Sequence, residues 1–107
     1  MTKKSQDFTM TAGDTKYLDF TVDMTSSTLV GSTIKWVMEK YGDPVITKTT
    51  TGDISITAAK VFRVTLNPSD TLNINTGQYK HQAEVTDLAN AVSTVAEGTG
   101  TIEESLI

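Results

Sequence analysis

His81 is the single histidine of this 107-residue chain and its one side chain ordinarily suited to general-base work near neutral pH. Nucleophilic catalysis needs such a base beside a hydroxyl, with a third group to orient it. His81 shares strand parity with Tyr79, Ala83 and Val85, so the pattern predicts an inward or sheet-edge packing residue and no triad. Paired carboxylates could perform acid–base chemistry, and Asp19 with Asp23 or Glu103 with Glu104 are the formal candidates. Asp19 and Asp23 fall on the polar face of an alternating run, while adjacent Glu103 and Glu104 point to opposite faces, so both pairs read as solvated carboxylates.

Three Gly-Asp pairs, Gly13-Asp14, Gly42-Asp43 and Gly52-Asp53, could offer loop oxygens to calcium, but their spacing matches no calcium loop. Turn chemistry suffices for each, with glycine supplying positive φ and aspartate bonding its own backbone. Tyr17 and Tyr41 are the aromatic side chains expected outside the core, where rings can stack on sugars; without an adjacent Asn, Gln or Arg cluster they read as the rim of a sheet protein. The threonine-rich stretch Thr47 to Thr51 offers edge backbone for strand addition by a partner. No catalytic, cofactor-binding or metal-ligating residue is assigned, and no cofactor is expected.

The elements that position these groups are strands. Threonine makes up roughly one residue in five, which suits half-exposed pleated surfaces. Leu18, Phe20 and Val22 alternate with Tyr17, Asp19, Thr21 and Asp23; Ile34, Trp36 and Met38 alternate with Thr33, Lys35, Val37 and Glu39. Phe8 and Met10 predict a short edge strand before an Ala12-Gly13-Asp14 turn, and Met24 to Thr28 a loop. Tyr41-Gly42-Asp43-Pro44 ends the Trp36 strand, placing Pro44 in a turn or at the first residue of a strand from Val45 to Thr50. Ile54 and Ile56 predict one strand; Phe62, Val64 and Leu66 predict another. In Asn67-Pro68-Ser69-Asp70, Ser69 or Asp70 is expected to cap a helical turn, with Leu72 and Ile74 tucked under the sandwich. Residues 78 to 86 and Ala91 to about Glu103 predict the last two strands, with a mid-strand bend at Gly98 and Gly100.

About eight short strands with frequent turns and no helix-period segment predict an antiparallel sandwich. Trp36 in the second long alternating strand and Tyr79 behind Asn75-Thr76-Gly77-Gln78 supply the core indole and corner tyrosine of an immunoglobulin-like fold, and His81 stands where antibody-type domains place a cysteine. The expected class is therefore all-β, an immunoglobulin-like antiparallel β-sandwich of about 7–8 strands, as one domain over 1–107 with residues 1–6 flexible. Cysteine is absent, consistent with folding in a reducing compartment. The start lacks the apolar stretch of a signal peptide, and no window nears about 18 consecutive apolar residues, so synthesis in the cytosol and no membrane partner are expected. The formal net charge is -4 and the only arginine is Arg63, which leaves no basic stripe to follow a phosphate backbone; no nucleic-acid partner is expected.

Four stretches carry a family resemblance: Ala12-Gly13-Asp14-Thr15, Ile34-Lys35-Trp36-Val37-Met38, Leu66-Asn67-Pro68-Ser69-Asp70-Thr71, and Thr76-Gly77-Gln78-Tyr79-Lys80-His81-Gln82-Ala83-Glu84-Val85-Thr86-Asp87. With the closing Gly98-Thr99-Gly100-Thr101-Ile102-Glu103, the chain from about Phe8 onward resembles the immunoglobulin-like domains of tailed-bacteriophage structural proteins, such as the N-terminal domain of phage upper baseplate proteins. The resemblance implies a non-enzymatic virion component of the tail, baseplate or capsid surface, made in the bacterial host cytoplasm. Its implied partners are other phage structural proteins, with a homo-oligomer as a further possibility, and it transfers no functional residue. Upper baseplate proteins continue into further segments where this sequence stops, which implies a stand-alone accessory piece. The alternative is a carbohydrate-binding or adhesion module that contacts the bacterial surface.

Overall fold

A computed structural model describes residues 3–23 and 28–106. Among these, nine strands and one helical turn follow in the order β1 (Lys4–Ser5), β2 (Phe8–Thr11), β3 (Lys16–Thr21), β4 (Thr33–Lys40), β5 (Asp43–Thr49), β6 (Ile54–Ala58), β7 (Val61–Leu66), α1 (Pro68–Thr71), β8 (Gly77–Thr86) and β9 (Val92–Glu103). One sheet has the order β1-β9-β8-β4-β5, with β2 further along the β9 edge; the other has the order β3-β7-β6. Side chains from both sheets close one core, with Trp36, Ile34 and Met38 of β4 and Phe62, Val64 and Leu66 of β7 all fully buried. The Tyr79 hydroxyl donates to the Asn75 carbonyl, which is the corner-tyrosine bond. The chain is an all-β, immunoglobulin-like sandwich.

The alternation explains the faces. On β3, Leu18 and Phe20 are buried while Tyr17 and Asp19 are exposed, and Phe20 stacks on its cross-strand partner Phe62 with centroids 5.0 Å apart. β4 closes on β5 by a two-residue hairpin, Tyr41-Gly42, with φ of 55° and 83°, the pair of positive values that a type I′ turn requires. Pro44 is the second residue of β5, and it is tolerated because β5 is an edge strand.

Several expectations need correction. β1 and β2 run parallel to β9, against the otherwise antiparallel pairing, with Lys4–Ser5 opposite Ala96 and Glu97. The helical turn is capped at Asn67, not at Ser69 or Asp70; Asp70 instead accepts the Asn67 N–H at 2.7 Å. Leu72 is exposed, while fully buried Thr71 and partly buried Ile74 face inward. The irregularity of β9 is at Val95: Ala83 faces Ala96 and Glu84 faces Thr94, so Val95 is the extra residue and both Val95 and Ala96 are buried. Of the expected loop from Met24 to Thr28, residues 24–27 lie outside the described residues.

Candidate functional site

The most constrained polar site lies where the N-terminal strand meets the core. His81 projects inward from β8 and is 2 % exposed. Trp36 Nε1–H, which can only donate, is 3.2 Å from His81 Nδ1, so Nδ1 accepts. Nε2 therefore carries the proton and donates to the Gln6 carbonyl 2.6 Å away. Both nitrogens of a neutral ring are thus satisfied. Burial pushes its pKa below the ordinary value of 6.5, against the opposing pull of the Gln6 carbonyl and the Asp7 charge.

Gln6 is the hinge pin of this arrangement. Its N–H donates to Glu97 O at 2.8 Å, and its side-chain Nε2 reaches across to Asp19 O on β3 of the opposite sheet at 3.1 Å. Asp7 then accepts the Thr99 N–H at 2.8 Å with Oδ1, and Phe8 lays its ring 5.2 Å from the His81 ring. The two glycines of β9 make this approach possible. A Cβ on Gly98 would stand 2.0 Å from the Gln6 carbonyl oxygen, and one on Gly100 would meet the Phe8 ring at 2.6 Å. Close packing, and not the expected mid-strand bend, explains both glycines.

On the outer side of the larger sheet, next to this seat, an open groove of about 530 Å³ runs over β1, β9, β8 and β4. Lys35, Lys80, Glu84 and Glu97 bring charges of both signs to its walls. At the β4–β5 end a second hollow of about 660 Å³ is flanked by Tyr41, Gln78 and Lys80. Tyr41 is 94 % exposed, and Lys40 Nζ lies 5.8 Å from its ring centroid and 5.0 Å from that of Tyr79. Tyr17 is on the other sheet, with the Arg63 guanidinium 4.9 Å from its ring centroid, so the two tyrosines do not share a face.

A second internal polar cluster is ionic. Lys48 occupies the inward position of β5 opposite Trp36 and is 8 % exposed. Its Nζ contacts Asp53 Oδ2 at 2.6 Å and Asp70 Oδ2 at 2.7 Å, and Asn67 Nδ2 donates to the same Asp53 oxygen at 3.1 Å. Burial works against the ammonium charge, but the hydrogen bonds to Asp53 and Asp70 outweigh it and hold the Lys48 pKa above its ordinary value. The same hydrogen bond from Lys48 holds the Asp53 carboxyl below its ordinary range.

The carboxylates singled out in the sequence are not brought together as catalytic pairs. Asp19 faces Arg63 across the β3–β7 ladder, accepting from Nε at 2.8 Å and Nη2 at 3.2 Å, and this bond lowers its pKa. Glu103 ends β9 and Glu104 follows it, both exposed. Asp14 lies between β2 and β3, Asp43 begins β5 and Asp53 lies between β5 and β6, and among the described residues no group of three or more His, Cys, Asp or Glu is placed to hold a metal ion. Gln6 and Lys48 were invisible in the sequence reading. The available signal for Lys48 was its parity with Ile46, which places the lysine on the buried face of β5.

No family model and no curated protein matches the chain. Among solved structures, it is similar to part of a provisionally assigned glycoside hydrolase from Bacteroides vulgatus ATCC 8482, with a TM-score of 0.56 and 13% identity. The match covers 94% of this chain and only 17% of that one, so the likeness is one of fold to a small portion of a larger protein. The fibronectin(III)-like modules of Clostridium thermocellum CbhA match at a TM-score of 0.47 and 10% identity, over 95% of this chain and 92% of that one.

Proposed function

We propose that the chain is a non-enzymatic structural protein of a tailed phage or prophage virion, acting through protein–protein contacts of its sandwich surface. Its site of action is the virion, its partners are other phage structural proteins, and copies of itself are a further partner. The observation that carries the interaction reading is the contrast between inside and outside. Inside, His81 and Lys48 are engaged with structural partners, whereas the outer face of the larger sheet offers an open groove with charges of both signs. Mixed charge on a broad strand surface suits the orientation and register of a protein partner. The virion assignment itself rests on the sequence resemblance.

The test is the protein content of density-purified particles induced from the strain that encodes the chain. Mass spectrometry should find it in the particles at a fixed ratio to the other tail or capsid proteins. Recovery solely in the soluble lysate overturns the assignment.

One observation favours a second reading, a carbohydrate-binding or adhesion module. Tyr41 holds a nearly fully exposed ring on a non-glycine residue at φ 55°, beside the Gln78 and Lys80 hollow. The type I′ turn sets that φ and presents the ring to solvent, where an aromatic face can stack on a sugar. Co-sedimentation with purified cell-wall polysaccharide, abolished by Tyr41→Ala, is the result this reading requires.

A further inference from the structure

The seat on β9 holds an extended segment through backbone pairing and through fitted places for two of its side chains. His81 Nε2–H takes a carbonyl at the Gln6 position, the Thr99 N–H takes a carboxylate at the Asp7 position, and Gly100 leaves room for an aromatic ring at the Phe8 position. Parallel pairing in a single register, Lys4 with Ala96 and Phe8 with Gly100, continues on both sides of that contact. Every one of these interactions is between residues 4–11 and the rest of the domain, so they form equally well when the segment comes from another molecule.

Residues 12–15 decide which molecule supplies it. They carry the chain from the β9 edge to β3 in the opposite sheet through a tight turn, with Asp14 N–H bonded to Thr11 O and Gly13 at φ 85° bonded through its N–H to Thr71 Oγ1. Opened, four residues span roughly 13 Å and direct β1 and β2 away from their own domain. A short connection that must turn sharply to close is the setting in which two copies trade identical elements.

We infer that the β9 edge is an interaction site for the same segment of a second copy, and that residues 3–11 exchange reciprocally between neighbouring molecules. At low concentration the short tether keeps the segment at home, since its effective concentration is on the order of millimolar. Packing of copies side by side brings the competing segment to the same level. This inference rests on the reading of the chain as an assembling protein, and it supplies the contact by which copies would join.

Because the chain contains no cysteine, engineered thiols report the exchange cleanly. Ser5 and Glu97 are register partners lining the same groove. A Ser5→Cys chain mixed with a Glu97→Cys chain at about 1 mM, within the concentration range set by the tether, and then oxidised should give a 5–97 heterodimer well in excess of 5–5 and 97–97 products. Gly13→Pro forbids the closed turn and should give that heterodimer even at about 10 μM. Deletion of Gly13 shortens the connection and should do the same, which keeps the test alive if the proline variant fails to fold. Heterodimer no more abundant than the two homodimeric products combined, which is the outcome of random pairing in an equal mixture, at either concentration and in whichever hinge variant folds, overturns the exchange. The particle-content experiment judges the virion reading separately.

Discussion

Two buried polar clusters hold this sandwich, and they use opposite electrostatics. Around His81 the hydrogen-bonded groups are neutral: an indole N–H, an imidazole and a backbone carbonyl each find a partner in a site lined by Phe8 and Phe20, with the Asp7 carboxylate nearby. Around Lys48 the groups are charged, and the cluster lies near enough to water that Asp53 is 42% exposed. The difference follows from depth. A neutral network avoids the large cost of burying charge, whereas an ammonium shared by two carboxylates is tolerable where solvent still reaches one of them. The neutral cluster pins the N-terminal strand; the ionic one ties β5 to the β5–β6 turn and to α1.

Removing the indole should break the neutral side most severely. Trp36→Ala is expected to cost about 3–5 kcal/mol in chemical denaturation, and an unchanged midpoint would refute its place at the core centre. Gly98→Val attacks the seat alone, since the added carbons collide with the Gln6 backbone. It should cost about 2 kcal/mol, with the loss of amide-exchange protection concentrated in residues 4–11. On the ionic side, Lys48→Met should cost less, about 1 kcal/mol, because water can solvate the carboxylates left behind. A loss as large as that of Trp36→Ala would mean that the cluster is a deeper determinant than its exposure indicates.

Titration separates the clusters further. The folded-state pKa of His81 is depressed, so the unfolded chain takes up the proton first; its contribution is complete above about 6.5 and declines as the pH falls from there towards the folded value. The folded pKa of Asp53 is also depressed, but its contribution is present above the ordinary carboxyl value of 3.8 and is lost as the pH falls through the still lower folded value. Lys48 adds stability that is present below 10.5 and is lost as the pH rises through its raised folded value. Denaturation midpoints between pH 7 and 5 should therefore fall in the wild type and stay flat in His81→Gln, whereas Lys48→Met should keep the decline.

The strands of the core were legible because each shows two or three large apolar residues in alternation, as in Leu18-Asp19-Phe20 and Ile34-Lys35-Trp36. Alternation carries no sign of strand direction, so the parallel course of β2 was not readable from Phe8 and Met10. Residue type alone assigns a lysine to the solvent side, which hid Lys48 despite its parity with Ile46, and alternation gives no warning of a bulge until two adjacent residues, Val95 and Ala96, are both found buried. Gln6 escaped because its importance lies mainly in its backbone carbonyl, which no residue type announces. His81 was readable by parity as an inward or sheet-edge packing residue, but its partners, the Trp36 indole and the Gln6 carbonyl, were not.

A neutral His81 contact keeps residues 4–11 seated on β9, and its loss should unseat them without opening the opposite sheet. Amide hydrogen exchange at pH 7.5, compared between wild type and His81→Phe, addresses it most directly. The account predicts that protection falls selectively over residues 4–11 while β3, β6 and β7 keep theirs. Unchanged protection in residues 4–11, or an equal loss through both sheets, would contradict it.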